Sequence, residues 1–236
     1  VVYDTLEELY KPYINLFLTI NHIDLMLKQY RKLVTKYFIK HFKNGDITSG
    51  KNRLVFEVSN QFVKRFLSME KKTLKEGHQV KILGTELILE TLITVPGIDF
   101  PIKIKGIVDR IDEFDGVTRI IDYKTGKVNA TDLKVLNFEE IRTVKYSKAI
   151  QILLYAYMYS QNNSLKTDGA LEAGIISFKN LKGGLLKINF SSKAKSPNHC
   201  VTDEKLEEFM SEIKLLLQEI YNPKISFKEP KTLSYS

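Results

Sequence analysis

The 236-residue chain has 43% hydrophobic and 27% charged residues, which is typical of a folded globular protein and excludes a disordered one. No stretch approaches the roughly 18 uninterrupted apolar residues of a transmembrane helix, so we expect no membrane span. The only cysteine, Cys200, cannot form an internal disulfide or a multi-cysteine metal cluster, and this predicts a cytoplasmic location. The net charge of +8 suits a polyanionic partner, although many basic proteins bind no nucleic acid.

Residues 1–78 are predicted to form a helical region. Apolar residues recur there at intervals of three and four, for example at Leu6, Leu9 and Tyr10. Lysine and arginine residues crowd the region between 36 and 75. A solvated helix surface explains them most simply, and a track for the DNA backbone is the alternative. The longest predicted helix covers 54–75, with one apolar stripe made of Val55, Val58, Phe62, Phe66 and Met69.

From residue 80 the apolar residues alternate with polar ones, which predicts strands. A helix is predicted over 146–161, and a last helix begins near Asp203 and Glu204, acids suited to a helix start. The predicted strands cover 80–95, 100–114, 117–125, 169–179 and 185–190.

This order of elements predicts an α/β fold with a mixed central sheet flanked by helices. We expect the helical region at 1–78 to pack on, or lead into, a core at 79–236. The chain begins inside a predicted helix and lacks the layout of a secretory signal. We therefore expect one compact domain cut from a longer parent.

A predicted hairpin brings two acids together. Asp115 and Gly116 lie between two apolar runs, which is a strong signal for a two-residue turn. Counting outward from this turn places Asp109 directly opposite Asp122. Lys124 shares a strand face with Asp122, because side chains alternate with a period of two.

Two facing carboxylates repel each other unless a cation lies between them. Oxygen ligands of this kind suit Mg²⁺ or Mn²⁺, and such an ion beside Lys124 indicates metal-assisted phosphodiester hydrolysis. A surface hairpin with merely solvated charges is the alternative, and a register slip of one residue would separate the two acids. Apolar neighbours favour a buried pair over a solvated one, namely Ile107, Val108, Ile120 and Ile121.

Gln151 and Tyr155 add polar groups to an otherwise apolar predicted helix. They are four residues apart and therefore adjacent on one helix face, where they can reach a phosphate oxygen or an attacking water. A tyrosine in an apolar helix is more often a core residue.

Three motifs occur in order: Gly-x-x-Asp-Arg-Ile-Asp from Gly106, Ile-Ile-Asp-Tyr-Lys-Thr-Gly-Lys from Ile120, and Gln-x-x-x-Tyr from Gln151. This combination resembles RecB-type nuclease domains of the PD-(D/E)xK superfamily, with looser similarity over about residues 1–190. The resemblance implies a restriction-endonuclease-like fold with the N-terminal helices as an addition. It also implies metal binding by Asp109 and Asp122, a catalytic role for Lys124, and Gln151 and Tyr155 as the motif that follows.

The resemblance extends to two more positions. Glu86 resembles the acidic residue that such domains often carry on the first core strand. This resemblance implies that Glu86 is either a metal ligand or a group that contacts a metal ligand. The alternative is a solvated glutamate on a strand. Tyr3 occupies the place of a helical histidine that usually binds metal in such domains. Some relatives carry an iron–sulfur cluster, which the single cysteine excludes within this chain.

The sequence thus predicts a Mg²⁺- or Mn²⁺-dependent DNA nuclease of repair or recombination. We expect it to be exonuclease-like, to act on linear or single-stranded ends, and to work with a helicase domain or subunit. The alternative is a weak or inactive nuclease fold that binds DNA or a partner.

Overall fold

The computed structural model describes residues 1–42, 46–163, 171–193 and 195–227. Five longer helices are present in these ranges: α1 (Val2–Tyr10), α2 (Ile20–His41), α3 (Gly50–Lys75), α4 (Ser147–Asn163) and α5 (Asp203–Tyr221). The strands are β1 (Val80–Ile93), β2 (Ile102–Phe114), β3 (Val117–Lys124), β4 (Leu171–Ser177) and β5 (Leu185–Lys187). None of the helices in the described ranges has the length and apolarity to cross a membrane.

The five strands form one mixed sheet in the order β1-β2-β3-β4-β5. Neighbouring strands are antiparallel except β3 and β4, which run parallel. A parallel pair needs a long crossover, and here short 3-10 turns and α4 supply it. The mixed sheet flanked by helices confirms the predicted α/β fold class.

Each face of the sheet packs against its own set of helices. Adjacent residues of β3 separate the two layers, because Ile120 joins the cluster around α4 and α5 while Ile121 joins the cluster around α1, α2 and α3. All three N-terminal helices bury apolar side chains in this second cluster, with Leu6, Phe38 and Phe66 as examples. The division of the chain at residue 78 stays a prediction.

Local sequence signals explain several element ends. The Thr19 hydroxyl accepts a hydrogen bond from the His22 N–H at 3.2 Å and caps α2, and Thr202 caps α5 in the same way. Asp115 and Gly116 both have positive φ, at 49° and 85°, which is the backbone of the predicted two-residue hairpin turn.

Several element boundaries differ from the prediction. Helix α3 begins at Gly50, β1 ends at Ile93, and β5 keeps only three residues. Strand β4 begins at Leu171, and the predicted start at 169 lies outside the described residues.

The predicted apolar stripe of α3 is confirmed at Phe66, which is buried, and at Phe62 and Met69, which pack against the second cluster. It was wrong at its first two positions. Val55 and Val58 are more than a third exposed. The buried face of the helix also includes polar side chains, which a hydrophobic pattern does not register. Its buried residues are Phe56, Ser59, Asn60, Val63, Phe66, Leu67 and Glu70.

Candidate active site

The β2–β3 hairpin has the register predicted from its turn. Phe114 pairs with Val117, and the ladder continues to Arg110 and Ile121. It ends there, one pair before Asp109 and Asp122. The Asp109 carboxylate instead accepts a hydrogen bond from the Tyr123 backbone N–H, with 2.5 Å between Oδ2 and nitrogen. Asp109 is therefore fixed to the strand that carries the other acid.

The four apolar residues next to Asp109 and Asp122 in the chain differ in how far they are buried. Val108, Ile120 and Ile121 are buried as expected, whereas Ile107 is 46% exposed. The expectation for Ile107 was wrong because the outer half of β2 alternates between a covered and an uncovered face. Full burial on this strand is confined to Val108 and the residues from Arg110 to Asp112, on either side of the half-buried Asp109.

Asp122, Lys124 and Gln151 form a closed ring of polar contacts. The Lys124 Nζ lies 2.8 Å from Asp122 Oδ2 and donates to Gln151 Oε1 at 3.0 Å. The Gln151 amide nitrogen donates to Asp122 Oδ1 at 3.2 Å. Strand β3 supplies the acid and the ammonium group on one face, and α4 brings the amide over them. The structure therefore brings these three predicted residues together.

Tyr155 lies one helical turn after Gln151 and completes this set. Its hydroxyl accepts a hydrogen bond from the Gln151 amide nitrogen at 2.9 Å. The ring packs tightly against strand β2 at Gly106, where an added Cβ would lie 2.6 Å from Tyr155 Cε1. The glycine of the first motif is thus required by the close approach of this ring.

Burial raises the pKa values of both carboxyl groups. Burial raises the pKa of Asp109 to about 7; the Tyr123 hydrogen bond opposes this shift, and the charges of Asp122 and Glu86 add to it. Burial also raises the pKa of Asp122, against the lowering effect of Lys124. Holding both groups ionised is therefore costly without a further cation, and a divalent ion is the group that this donor set fits.

Glu86 contributes to the same electrostatic field from strand β1. Burial raises its pKa first, and the charges of Glu7, Asp4 and Asp122 raise it further. Its backbone has a φ of 48°, a left-handed conformation within a strand. A direct bond from Glu86 to a metal stays a prediction.

The donor set for a metal is small in this structure. Among the described residues, no group of three or more His, Cys, Asp or Glu side chains is arranged to hold a metal ion. Asp109 and Asp122 are the two carboxylates whose oxygens would suit a divalent ion, and metal binding by them stays a prediction.

Two groups near the site were not among the predicted site residues. The Tyr123 backbone N–H could not be found from side-chain patterns, because a backbone donor carries no sequence signal. Tyr3 was noted only as a departure from the usual histidine. Its ring centroid lies 6.3 Å from that of Tyr123, and burial raises its pKa, with a hydrogen bond to Thr125 opposing and the Asp109 charge adding to the shift.

The mixed sheet, its covering helices and the acid–acid–lysine set define a nuclease-type fold. A family model of the PD-(D/E)XK nuclease superfamily matches residues 2–232, and the chain therefore belongs to that superfamily. Its members are generally nucleases that hydrolyse phosphodiester bonds with divalent metals such as Mg²⁺. No curated protein was found to match the chain.

Proposed function

We propose that this chain is a Mg²⁺- or Mn²⁺-dependent deoxyribonuclease acting in DNA repair or recombination. The observation that carries the proposal is the ring formed by Asp122, Lys124 and Gln151, with Asp109 fixed beside it by the Tyr123 N–H. A bound divalent ion would lower the pKa of a water and neutralise charge on the scissile phosphate.

The chain's own residues have distinct roles in this proposal. Asp109 and Asp122 would hold the ion. The Lys124 ammonium group orients the attacking water and stabilises charge that develops on the phosphate oxygens. Gln151 fixes the lysine by accepting from it while donating to Asp122, and the Tyr155 hydroxyl accepts a second hydrogen bond from the same amide nitrogen.

Charge supports DNA as the substrate. The net charge of +8 favours a polyanion, and exposed cations of α2 and α3 would bind the phosphate backbone. Some cations of these helices are neutralised by partners, as in the Lys36–Glu8 pair at 2.6 Å. We therefore expect the remaining ones to dominate binding, with affinity that falls steeply as salt rises. They include Lys40, Lys51, Lys64, Arg65 and Lys75.

The finer part of the proposal concerns how DNA is presented. The resemblance of the three motifs to RecB-type domains supports an exonuclease-like action on linear or single-stranded ends, coupled to a helicase domain or subunit. We also propose the cytoplasm as its location, on the single cysteine.

The direct experiment compares cleavage of linear duplex, single-stranded and covalently closed circular DNA with Mg²⁺ or Mn²⁺. We expect the protein to degrade the linear duplex and the single-stranded DNA and to leave the covalently closed circular DNA intact. The Asp122→Ala variant should lose at least about 100-fold in rate, and the exposed Asp99→Ala is the matched control. A wild type that cuts none of these substrates, or an Asp122→Ala variant with full activity, overturns the proposal.

The second candidate is a nuclease fold that binds DNA or a partner and cuts weakly. The observation in its favour is Tyr3, a neutral phenol at the edge of the site where such domains usually carry a histidine. The Tyr3→His variant discriminates between the two, with Tyr3→Phe as its control. Cleavage that appears only in Tyr3→His supports the weak module, and cleavage by the wild type excludes it.

A further inference from the structure

A cluster of four charged side chains lies behind the candidate site, on the opposite face of the sheet. Arg110 is 1% exposed, Asp112 is fully buried and Glu70 is 6% exposed. Arg119 completes the cluster, so two positive and two negative groups balance. None of these residues takes part in the proposed chemistry.

The contacts in this cluster are direct. Arg110 Nη1 lies 3.0 Å from Glu70 Oε2, and Arg110 Nη2 lies 2.6 Å from Asp112 Oδ2. Arg119 binds both oxygens of Asp112, at 2.7 and 2.8 Å. The Tyr10 hydroxyl donates to Glu70 at 2.8 Å, and its ring lies 4.8 Å from the Arg110 guanidinium carbon. The cluster thus joins α1 and α3 to strands β2 and β3.

Arg110 is also the last residue of the β2–β3 ladder before Asp109. Tyr123, whose backbone N–H holds the Asp109 carboxylate, is anchored in the same layer. Its ring lies 5.5 Å from those of Phe66 and Phe178. Arg110, which follows Asp109 in the chain, and Tyr123, which donates a hydrogen bond to Asp109, are therefore both held by contacts on the opposite face of the sheet.

A contribution to the stability of the fold does not by itself explain why four charged side chains are buried here. Burying charges costs several kcal/mol of desolvation each, and well-packed apolar residues often do as well or better. What a charged cluster adds is a defined geometry, since each contact requires a particular position of its partner.

We propose that Glu70 and Arg110 are positioning residues for the metal site. They fix β2 at Asp109, so that the carboxylate meets Asp122 in the arrangement that binds a divalent ion. The N-terminal helices then contribute to the metal site although their acids do not bind the metal. This inference rests on the proposed metal binding by Asp109 and Asp122.

The test measures Mn²⁺ affinity by titration calorimetry, together with the fold by circular dichroism. Glu70→Gln keeps the shape of the side chain and removes its charge. We expect it to weaken Mn²⁺ binding by about tenfold, as for other groups that orient metal ligands. The matched control is Glu57→Gln on the same helix, where Glu57 forms an exposed pair with Arg31, and its affinity should stay within about twofold of the wild type.

A second variant separates positioning from stability. Glu70→Met combined with Arg110→Met replaces the pair by apolar side chains and restores packing without charges. We expect a folded protein that still binds Mn²⁺ about tenfold more weakly than the wild type. Wild-type affinity in this folded double variant overturns the proposal. Should neither variant fold, Tyr10→Phe decides, since it removes only the hydroxyl bond to Glu70, and unchanged Mn²⁺ affinity then counts against the proposal.

The same titrations distinguish failure of the proposed metal site from failure of the positioning role. If Asp122→Ala binds Mn²⁺ as tightly as the wild type, the metal site itself is misassigned. If Asp122→Ala loses the ion while Glu70→Gln keeps wild-type affinity, only the positioning role falls.

Discussion

The backbone N–H of Tyr123 donates to the carboxylate of Asp109, across the gap where the β2–β3 ladder has ended. One oxygen of Asp109 therefore joins the two strands, and we propose that the carboxylate also binds the metal ion. A single side chain combines a structural and a proposed metal-binding role, and two substitutions at this position separate them.

Asp109→Asn and Asp109→Ala should differ in stability and agree in metal binding. The asparagine oxygen still accepts from the Tyr123 N–H. The substitution also removes a carboxylate that is costly to bury in its charged form, since burial raises the pKa of Asp109 to about 7. The free energy of unfolding should therefore match or exceed that of the wild type. Alanine leaves the N–H without its partner and should cost about 1–3 kcal/mol. Urea unfolding measures the difference, and Mn²⁺ titration should show loss of binding in both. Equal stability of the two variants would contradict a structural role for this hydrogen bond.

Lys124→Met should separate binding of the ion from cleavage. The ammonium group lies 2.8 Å from Asp122 and competes with a metal for that carboxylate, so its removal should leave Mn²⁺ affinity unchanged or raise it. The rate of DNA cleavage should fall by about 100- to 1,000-fold, as when a group that stabilises developing charge is removed. Calorimetry and a gel assay on the same preparation check both halves. Weaker Mn²⁺ binding would argue that Lys124 acts through the structure of the site.

Gly106→Ala should disturb the site through Tyr155. The new Cβ would lie 2.6 Å from Tyr155 Cε1 and 3.1 Å from the Met158 methyl group, so the ring must shift, which would disturb its hydrogen bond with Gln151. We expect a loss of about 1–3 kcal/mol in stability and a lower cleavage rate. Gly126→Ala, where a Cβ would meet nothing within 4 Å, is the matched control and should behave as the wild type. A fully active Gly106→Ala would show that the position of this ring is unimportant.

Asp112→Asn should change how stability depends on acid pH. Burial alone would raise the pKa of Asp112, but Arg110 and Arg119 outweigh it and hold the pKa below the ordinary value of 3.8. Because the folded-state pKa is the lower one, the unfolded chain takes up the proton first. The stability that this carboxylate contributes is therefore present above about pH 4 and is lost as pH falls through the folded-state pKa.

Urea unfolding from pH 7 down to pH 3 measures this dependence. Asp112→Asn should be less stable than the wild type at pH 7 by about 3–5 kcal/mol, since it leaves buried guanidinium charge uncompensated. The difference between the two proteins should shrink as the pH approaches 3. The exposed Asp99→Asn is the control. A difference that stays constant over this range would mean that Asp112 does not titrate with unfolding.

Much of the site could be predicted because the hairpin turn is short and its residues are distinctive. Once Asp115 and Gly116 are placed at the turn, counting alone gives the pairing as far as Arg110 and Ile121. The four-residue spacing of Gln151 and Tyr155 likewise gives one helix face.

The remaining features depend on the tertiary structure. No pattern indicates that the ladder stops before Asp109, or that a backbone N–H replaces it. The buried charges of Arg110 and Asp112 look like solvated strand residues in sequence, because only the covering helices bring Glu70 to them. The exposure of Val55 and Val58 at the start of the α3 stripe likewise depends on which elements cover that part of the helix.

Glu86 keeps a left-handed backbone within a strand, at a φ of 48°. Glycine adopts this conformation without steric penalty, whereas an ordinary side chain there costs about 1–3 kcal/mol. Selection of random variants for heat resistance alone should therefore enrich Glu86→Gly. Selection for DNA degradation should retain the Glu86 carboxylate. A difference between the two enriched pools at this position would show that the strained backbone of Glu86 is kept for activity and not for stability.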